Sequence, residues 1–364
     1  MYFFFLGNTP ALSRLELTSL GISPLVDVVN GIVSYEGATN VMSLAPRLGG
    51  TRKIAEEKGK YSLGDVEASI VSLIAADTAK NVAVTDYTGK ELIPSLSQLK
   101  SKISEARHVR FVSMDTGEHE LLMLAHQHVA EYNLLPAGEG AVTIAKTAWI
   151  FDAEDWVRRD REKPYRDIKR GMLPPKTARM MVNIATRGAD CTVYDPFCGT
   201  GTVLAEALLT GCPVVGSDNF APAIDGAKQN LSWLSSVYDL RSTTYDLQVS
   251  DVSHPPFAAA GVVVTEPYMG PLQDSRKAVS LEKIKDVARG LDKLYRGAFR
   301  AWVKLLPAGS RVVMAIPCFH TADRVVTTIS VDTLASLGYN TIASVPYGKP
   351  GATVIRNITI LEKK

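Results

Sequence analysis

A chain of 364 residues, 46% hydrophobic and 21% charged with a formal net charge of +2, is an ordinary soluble protein with room for two or three domains, not a uniformly cationic polyanion binder. No apolar run approaches membrane-spanning length, and the opening Tyr2–Leu6 stretch is too short, and lacks the basic flank, to be a signal peptide. Cys191, Cys198, Cys212 and Cys318 show no CxxC spacing, which suits small buried hydrophobes in a reducing cytoplasm rather than a zinc site.

In chain order, strands are expected at 2–6, 31–35, 39–44 and 51–56 around a helix at 12–20. A helix over 65–79 follows, with Asp65 as its cap. Next come a strand at 81–87, a helix at 95–106, a strand at 108–113, a helix at 118–132 and strands around 141–151. Short strands alternating with helices suit two small α+β units. His126 and His128 would point to different faces of the 118–132 helix, so the Glu118, His119, Glu120 cluster beside them reads as solvated and no metal is expected.

From 173 the pattern becomes regular. A helix at 175–187 precedes strands at 191–195, 213–217, 245–250, 261–265, 310–316, 340–346 and 352–361, with helices at 202–210, 221–235, 281–305 and 322–337. That is an α/β domain of seven strands. The short Tyr347–Gly351 turn allows an antiparallel final pair, whereas the earlier strands need parallel crossovers, and a ligand would lie at the carboxyl ends of the first, second and fourth strands.

The first of those ends carries Asp195-Pro196-Phe197-Cys198-Gly199-Thr200-Gly201-Thr202: strand, glycine turn, helix. Gly199 and Gly201 let the backbone turn sharply against a ligand, and the amides opening the next helix face the crevice. Asp218 ends the next apolar run about 20 residues after the glycines, where a carboxylate can take both hydroxyls of a ribose. A dinucleotide fingerprint needs a third glycine, and Leu204 holds that position. Asp195 would repel a pyrophosphate but attract an ammonium group, so a ligand with an amino acid end fits, and S-adenosylmethionine is such a ligand.

Asp195–Thr202 followed by Gly216-Ser217-Asp218 resembles the first two motifs of class I S-adenosylmethionine-dependent methyltransferases, of the branch that methylates exocyclic amines of nucleic acids. Gly171–Arg179 (GMLPPKTAR) and Leu6–Ser13 (LGNTPALS) resemble the archaeal and eukaryotic tRNA guanine-10 N2-methyltransferase family, strongly over 171–364 and more patchily over 1–150. The resemblance implies a ferredoxin-like domain at 1–80, a THUMP-like RNA-binding domain at 81–150, a basic linker at 151–172 and a Rossmann-like class I methyltransferase domain at 173–364. It also implies cofactor contacts from Phe197, Gly199, Gly201 and Thr202, from Asp218 and Asn219, and from Asp251 against the adenine amine. Pro174 and Lys176 would cover the methionine end. Some relatives need a small zinc-binding activator subunit, on which the sequence is silent.

The fourth strand delivers Thr265-Glu266-Pro267-Tyr268 to the same edge. An exocyclic amine of guanine is a poor nucleophile, because its lone pair is delocalised into the ring. A site must hold the amine by acceptors and align it with the sulfonium methyl. Related enzymes use Asp/Asn/Ser-Pro-Pro-Tyr/Phe, and this chain departs from that pattern. Either Glu266 supplies a carboxylate one residue late, or Thr265 accepts while the Glu266 carbonyl replaces that of the first proline. Tyr268 is expected to stack on the base.

Arg158–Arg170 holds seven basic residues, Arg158, Arg159, Arg161, Lys163, Arg166, Lys169 and Arg170, against three acidic ones. A second basic stretch runs from Arg47 to Lys60. Both are candidate phosphate contacts, which position a nucleic acid without reading it; the alternative is a solvated linker and a solvated hairpin. The expected function is N2 methylation of guanine in tRNA, with the N-terminal domains gripping tRNA and a flipped-out base entering the catalytic domain. Methylation of a DNA or ribosomal RNA amine, or RNA binding without catalysis, are the alternatives.

Overall fold

Three consecutive phenylalanines in β1 (Tyr2–Leu6) face both sides of a sheet: Phe4 packs with Leu17, Ile22, Val33 and Ile54, whereas Phe3 and Phe5 pack with Ile32, Ala55 and Leu135. The computed structural model describes residues 1–89, 96–112, 118–167, 172–240, 244–271, 280–321, 324–349 and 351–364, and the chain divides into units Met1–Trp156 and Val157–Lys364. Among the described residues, no helix is long and apolar enough to cross a membrane.

After β1 the first unit contains α1 (Pro10–Ser19), β2 (Val26–Val29), β3 (Ile32–Tyr35), α2 (Val41–Leu44), β4 (Thr51–Ser62), α3 (Val66–Ala76), β5 (Asn81–Asp86), α4 (Leu96–Ala106), β6 (Arg110–Phe111), α5 (Glu118–His126), β7 (Val129–Pro136) and β8 (Ala141–Ile150). Its sheet has the order β2-β3-β1-β4-β8-β7-β5-β6. The twelve-residue β4 pairs with β1 along one edge and β8 along the other, so a single eight-stranded sheet runs through both expected pieces, 1–80 and 81–150.

Several local expectations are corrected. Residues 41–44 form a helix rather than a strand, because Asn40 Oδ1 accepts a hydrogen bond from Ser43 N at 3.2 Å and caps it. Asp65 makes no side-chain cap for α3; its carboxylate accepts from Ser62 Oγ instead, at 2.6 Å. The helix expected over 118–132 stops at His126, since His128 adopts a left-handed φ of 47° and turns the chain into β7. In the basic stretch 47–60, Lys58 and Lys60 are exposed on β4, but Lys53 is buried, with Nζ 2.6 Å from Glu131 Oε1 and further bonds to Asn133 Oδ1 and the Tyr87 hydroxyl, so Lys53 cannot reach a phosphate.

α6 (Ala153–Arg161) leads into the second unit. There follow α7 (Pro175–Thr186), β9 (Val193–Asp195), α8 (Thr202–Leu209), β10 (Val214–Asp218), α9 (Ala221–Val237), β11 (Tyr245–Val249), β12 (Val262–Thr265), α10 (Leu281–Leu305), β13 (Arg311–His320), β14 (Val325–Thr327), α11 (Val331–Ser336), β15 (Tyr339–Tyr347) and β16 (Val354–Lys363). The sheet order is β11-β10-β9-β12-β13-β16-β15, with β14 paired to β13. Among the described residues it therefore has eight strands, the seven expected ones plus β14. That strand occupies ground where a helix over 322–337 was expected; the helix begins only at Val331, after the Ser330 cap.

β11, β10, β9, β12 and β13 are mutually parallel, and β16 runs antiparallel between β13 and β15. The strand order reverses between β9 and β12, which is where an open α/β sheet leaves a crevice at its carboxyl ends. α10 covers one face because Ile284, Ala288, Leu291, Tyr295, Ala298, Phe299 and Trp302 recur at helical spacing, and all are buried. Phe299 packs edge-on against both Trp302 and Tyr339, and each large side chain buried there stabilises the domain by roughly 1.5–3 kcal/mol.

Candidate active site

β9 ends at Asp195 and the chain turns through Gly199, at φ 50°, and Gly201, at φ 84°, into α8. Both angles favour glycine, and a Cβ on Gly201 would also stand 3.4 Å from that of Ala227 on α9. The loop is tied down at both ends: Cys198 N donates to Ser217 O at 3.0 Å and Gly201 N to Cys198 O at 2.7 Å. Asp218, at the end of β10, is 9% exposed and grips the turn directly. Its Oδ2 accepts from Gly199 N and its Oδ1 from Phe220 N, both at 3.0 Å. Asn219 and Phe220 beside it are exposed. A carboxylate held at the crevice by backbone amides suits two adjacent hydroxyls, and the Phe220 ring, which sequence reasoning missed, suits an aromatic heterocycle.

Asp195 is 2% exposed. Its Oδ1 accepts from Phe197 N at 3.1 Å and from Thr265 Oγ1 at 2.6 Å, while Oδ2 accepts no bond among the described residues. Burial pushes its pKa up to about 7, against the opposing effect of those two hydrogen bonds, and the nearby carboxylates of Asp218 and Glu266 push it the same way. A buried carboxylate with an unused oxygen and no counter-cation among the described residues fits a ligand ammonium, so the residues present suit the amino acid end of S-adenosylmethionine. Met172 Sδ lies 3.9 Å from Thr200 Oγ1, which brings the segment before α7 to the glycine loop. Pro174 is exposed there and Lys176 half-buried. Asp251 follows β11 and is exposed; its Oδ1 accepts from Ser253 N at 2.8 Å and from Ser253 Oγ, which hold its pKa below the usual carboxylate value.

Thr265 Oγ1 joins the fourth strand to the first, a link with no sequence signature. Fully buried, it spends its proton on Asp195. Glu266 Oε1 accepts from Arg356 Nε of β16 at 2.5 Å. Pro267 is buried, whereas Tyr268 is 55% exposed, with its carbonyl oxygen accepting from the Tyr295 hydroxyl of α10 at 2.6 Å. The structure thus brings the glycine loop, Asp195, Asp218 and Thr265–Tyr268 to one edge and leaves an aromatic ring free to stack.

The basic segment is divided differently from the sequence expectation. Arg158, Arg161 and Arg166 are exposed, but Arg159 and Lys163 are 7% and 8% exposed and cannot contact phosphates. Lys169 and Arg170 lie outside the described residues. Arg159 and Arg179 flank the buried Glu206 at 2.9 and 2.8 Å, and Lys163 Nζ donates to Thr202 Oγ1 at 3.1 Å, its pKa lowered by burial. Asn230 completes the strap: its Nδ2 donates to Thr200 O and Tyr165 O, and its Oδ1 accepts from Tyr165 N. The signal was a lone Glu206 in the otherwise apolar α8 and Arg179 beside the apolar run of α7, two charges that needed buried partners. Glu206→Gln is expected to strand two buried cations and to cost about 3–5 kcal/mol. Calorimetry should show it as a fall of about 10 °C in the transition of the second unit; a shift within about 2 °C would show that the cluster is solvated.

The comparisons agree with this geometry. Residues 163–326 match the UPF0020 family, described as the RMKL-like methyltransferase domain. A tRNA (guanine(10)-N2)-dimethyltransferase of Methanothermobacter thermautotrophicus is 31% identical over 149 residues, 40% of this chain and 39% of the relative. A protein of the same name from Pyrococcus abyssi is 31% identical over 163 residues, 43% of this chain and 42% of the relative. The chain's matches therefore span about two fifths of the length of these curated relatives. The crystal structure of TrmN from Thermus thermophilus shares the fold over 100% of both chains, with a TM-score of 0.53 at 16% identity. Residues 163–326 of the second unit are thus similar to the RMKL-like methyltransferase domain, and the chain shares the fold of TrmN.

Proposed function

We propose that this chain transfers a methyl group from S-adenosylmethionine to the exocyclic N2 amine of guanine in tRNA, at position 10 as the names of its relatives suggest. The observation that carries the reading is the Thr265–Asp195 bond, which joins the amine-binding turn to the cofactor loop at one sheet edge. When bound, the cofactor supplies an electrophilic methyl on a sulfonium. Asp218 would hold its ribose, Asp195 its ammonium and Asp251 its adenine amine, with Gly199, Gly201 and Thr202 lining it, Phe197 and Asn219 beside it, and Pro174 and Lys176 covering its methionine end.

Tyr268 would stack on the flipped guanine while Thr265, Glu266 and the Pro267 turn orient its amine, which gives up a proton as the methyl arrives. Arg158, Arg161 and Arg166, and the first unit as ferredoxin-like and THUMP-like parts at 1–80 and 81–150, would position the tRNA backbone. A reducing cytoplasm, which the free cysteines suit, would be the chain's compartment. Incubation of the purified full chain with unmodified tRNA and labelled cofactor is expected to yield N2-methylated guanosine in nucleoside mass spectrometry. Label found only in DNA or ribosomal RNA, or at another atom, would sink the reading.

A further inference from the structure

Glu266 stands one residue later than the polar residue of the related motif, and it is not alone. Arg356 sits near the start of β16, opposite Pro317 of β13 and Tyr347 of β15, so the antiparallel strand carries a guanidinium to the edge where the parallel strands end. Nε donates to Glu266 Oε1 at 2.5 Å, with the side chains 24% and 15% exposed. Among the described residues neither group makes another bond, which leaves N–H donors of Arg356 and the second oxygen of Glu266 for a ligand. A partly exposed pair of this kind contributes little to stability, so its place beside the exposed Tyr268 is what calls for explanation.

A base stacked on Tyr268 would present its Watson–Crick edge to groups at this strand end. Guanine offers, in order, the O6 acceptor and the N1–H and N2–H donors. A guanidinium beside a carboxylate offers the complement: donors for O6, acceptors for N1–H and N2–H. Adenine would meet the carboxylate with the bare lone pair of N1 and the guanidinium with an amino group, so both charges would face the wrong partner. We propose that Glu266 and Arg356 together form the base-selecting pair of this site, reading the six-oxo, two-amino edge of guanine. The assignment rests on the function proposed above and adds to it the residues that choose the base.

The test uses full-length tRNA in which the target guanine is replaced by 2,6-diaminopurine, which keeps the two-amino group but exchanges O6 for a donor and removes N1–H. Wild-type protein is expected to prefer guanine by about 100-fold or more in kcat/KM, as sites with dedicated hydrogen bonds do. Arg356→Met should lose activity mainly on guanine and bring the preference below about 10-fold. Glu266→Gln, whose amide can donate to N1 of 2,6-diaminopurine, should shift the preference toward the analogue. Melting temperature and calorimetric cofactor affinity report whether either variant is folded. Equal losses on both substrates, with the ratio unchanged, would assign the pair a structural role and overturn the proposal. Wild-type protein that methylates an adenine amine also overturns it. Failure to methylate guanine in any RNA removes the function itself and the assignment with it.

Discussion

Asp218→Ala is expected to lower affinity for S-adenosylmethionine by roughly 100-fold or more in titration calorimetry. The carboxylate would make charge-assisted bonds to the ribose, each worth about 1.5–3 kcal/mol, and two of them already exceed the loss of about 2.7 kcal/mol that a 100-fold change requires. The same group also accepts the amides of Gly199 and Phe220, so its removal leaves the left-handed turn at Gly199 without its anchor. Asp218→Asn separates the two effects. Its amide oxygen can still accept one backbone bond, so thermal stability should recover more than cofactor affinity does. Wild-type affinity in the alanine variant would show that the ribose lies elsewhere.

That residue was legible because its chemistry is local. An apolar run, an acid at its end and glycines about 20 residues earlier already define a strand and a crevice with a carboxylate at its rim. The long α10 was legible for a similar reason, its buried residues recurring at helical spacing from a serine cap at Ser280. What escaped depended on contacts between distant parts of the chain. Arg159 and Lys163 read as phosphate contacts because a charge run looks alike whether or not Glu206 and Thr202 wait opposite it. Arg356, near the start of β16, meets Glu266 only because β16 runs antiparallel to β13 and reaches the carboxyl edge. β7 was hidden by continuity: residues 118–136 contain no glycine, and their first proline is the last residue of that strand, so the break fell on His128, a residue type that tolerates a positive φ without announcing it. Thr265 was read only as an acceptor for substrate, and the proton that it donates to Asp195 across the sheet went unforeseen.

Asp195 then makes cofactor binding depend on pH in a direction its ordinary acidity would not suggest. In the folded chain burial raises it to about 7, whereas an unfolded aspartate titrates near 3.8. Between those values the folded state holds a proton that the unfolded state has released, so the protein without cofactor should lose stability as pH rises from 4 to 7, by on the order of a few kcal/mol, with the full loss present above 7. A ligand ammonium reverses the preference by favouring the ionised carboxylate, and binding below pH 7 must expel that proton. Affinity for S-adenosylmethionine should therefore fall by about tenfold for each pH unit below about 7 and level off above it. Asp195→Asn keeps an acceptor for Thr265 and Phe197 but removes the buried charge. At pH 8 this variant should melt higher than the wild type while binding the cofactor more weakly, with an affinity that no longer varies between pH 6 and 8. A flat wild-type profile across that range would mean that Asp195 does not face the ammonium and serves only to hold Thr265 and the glycine loop in place.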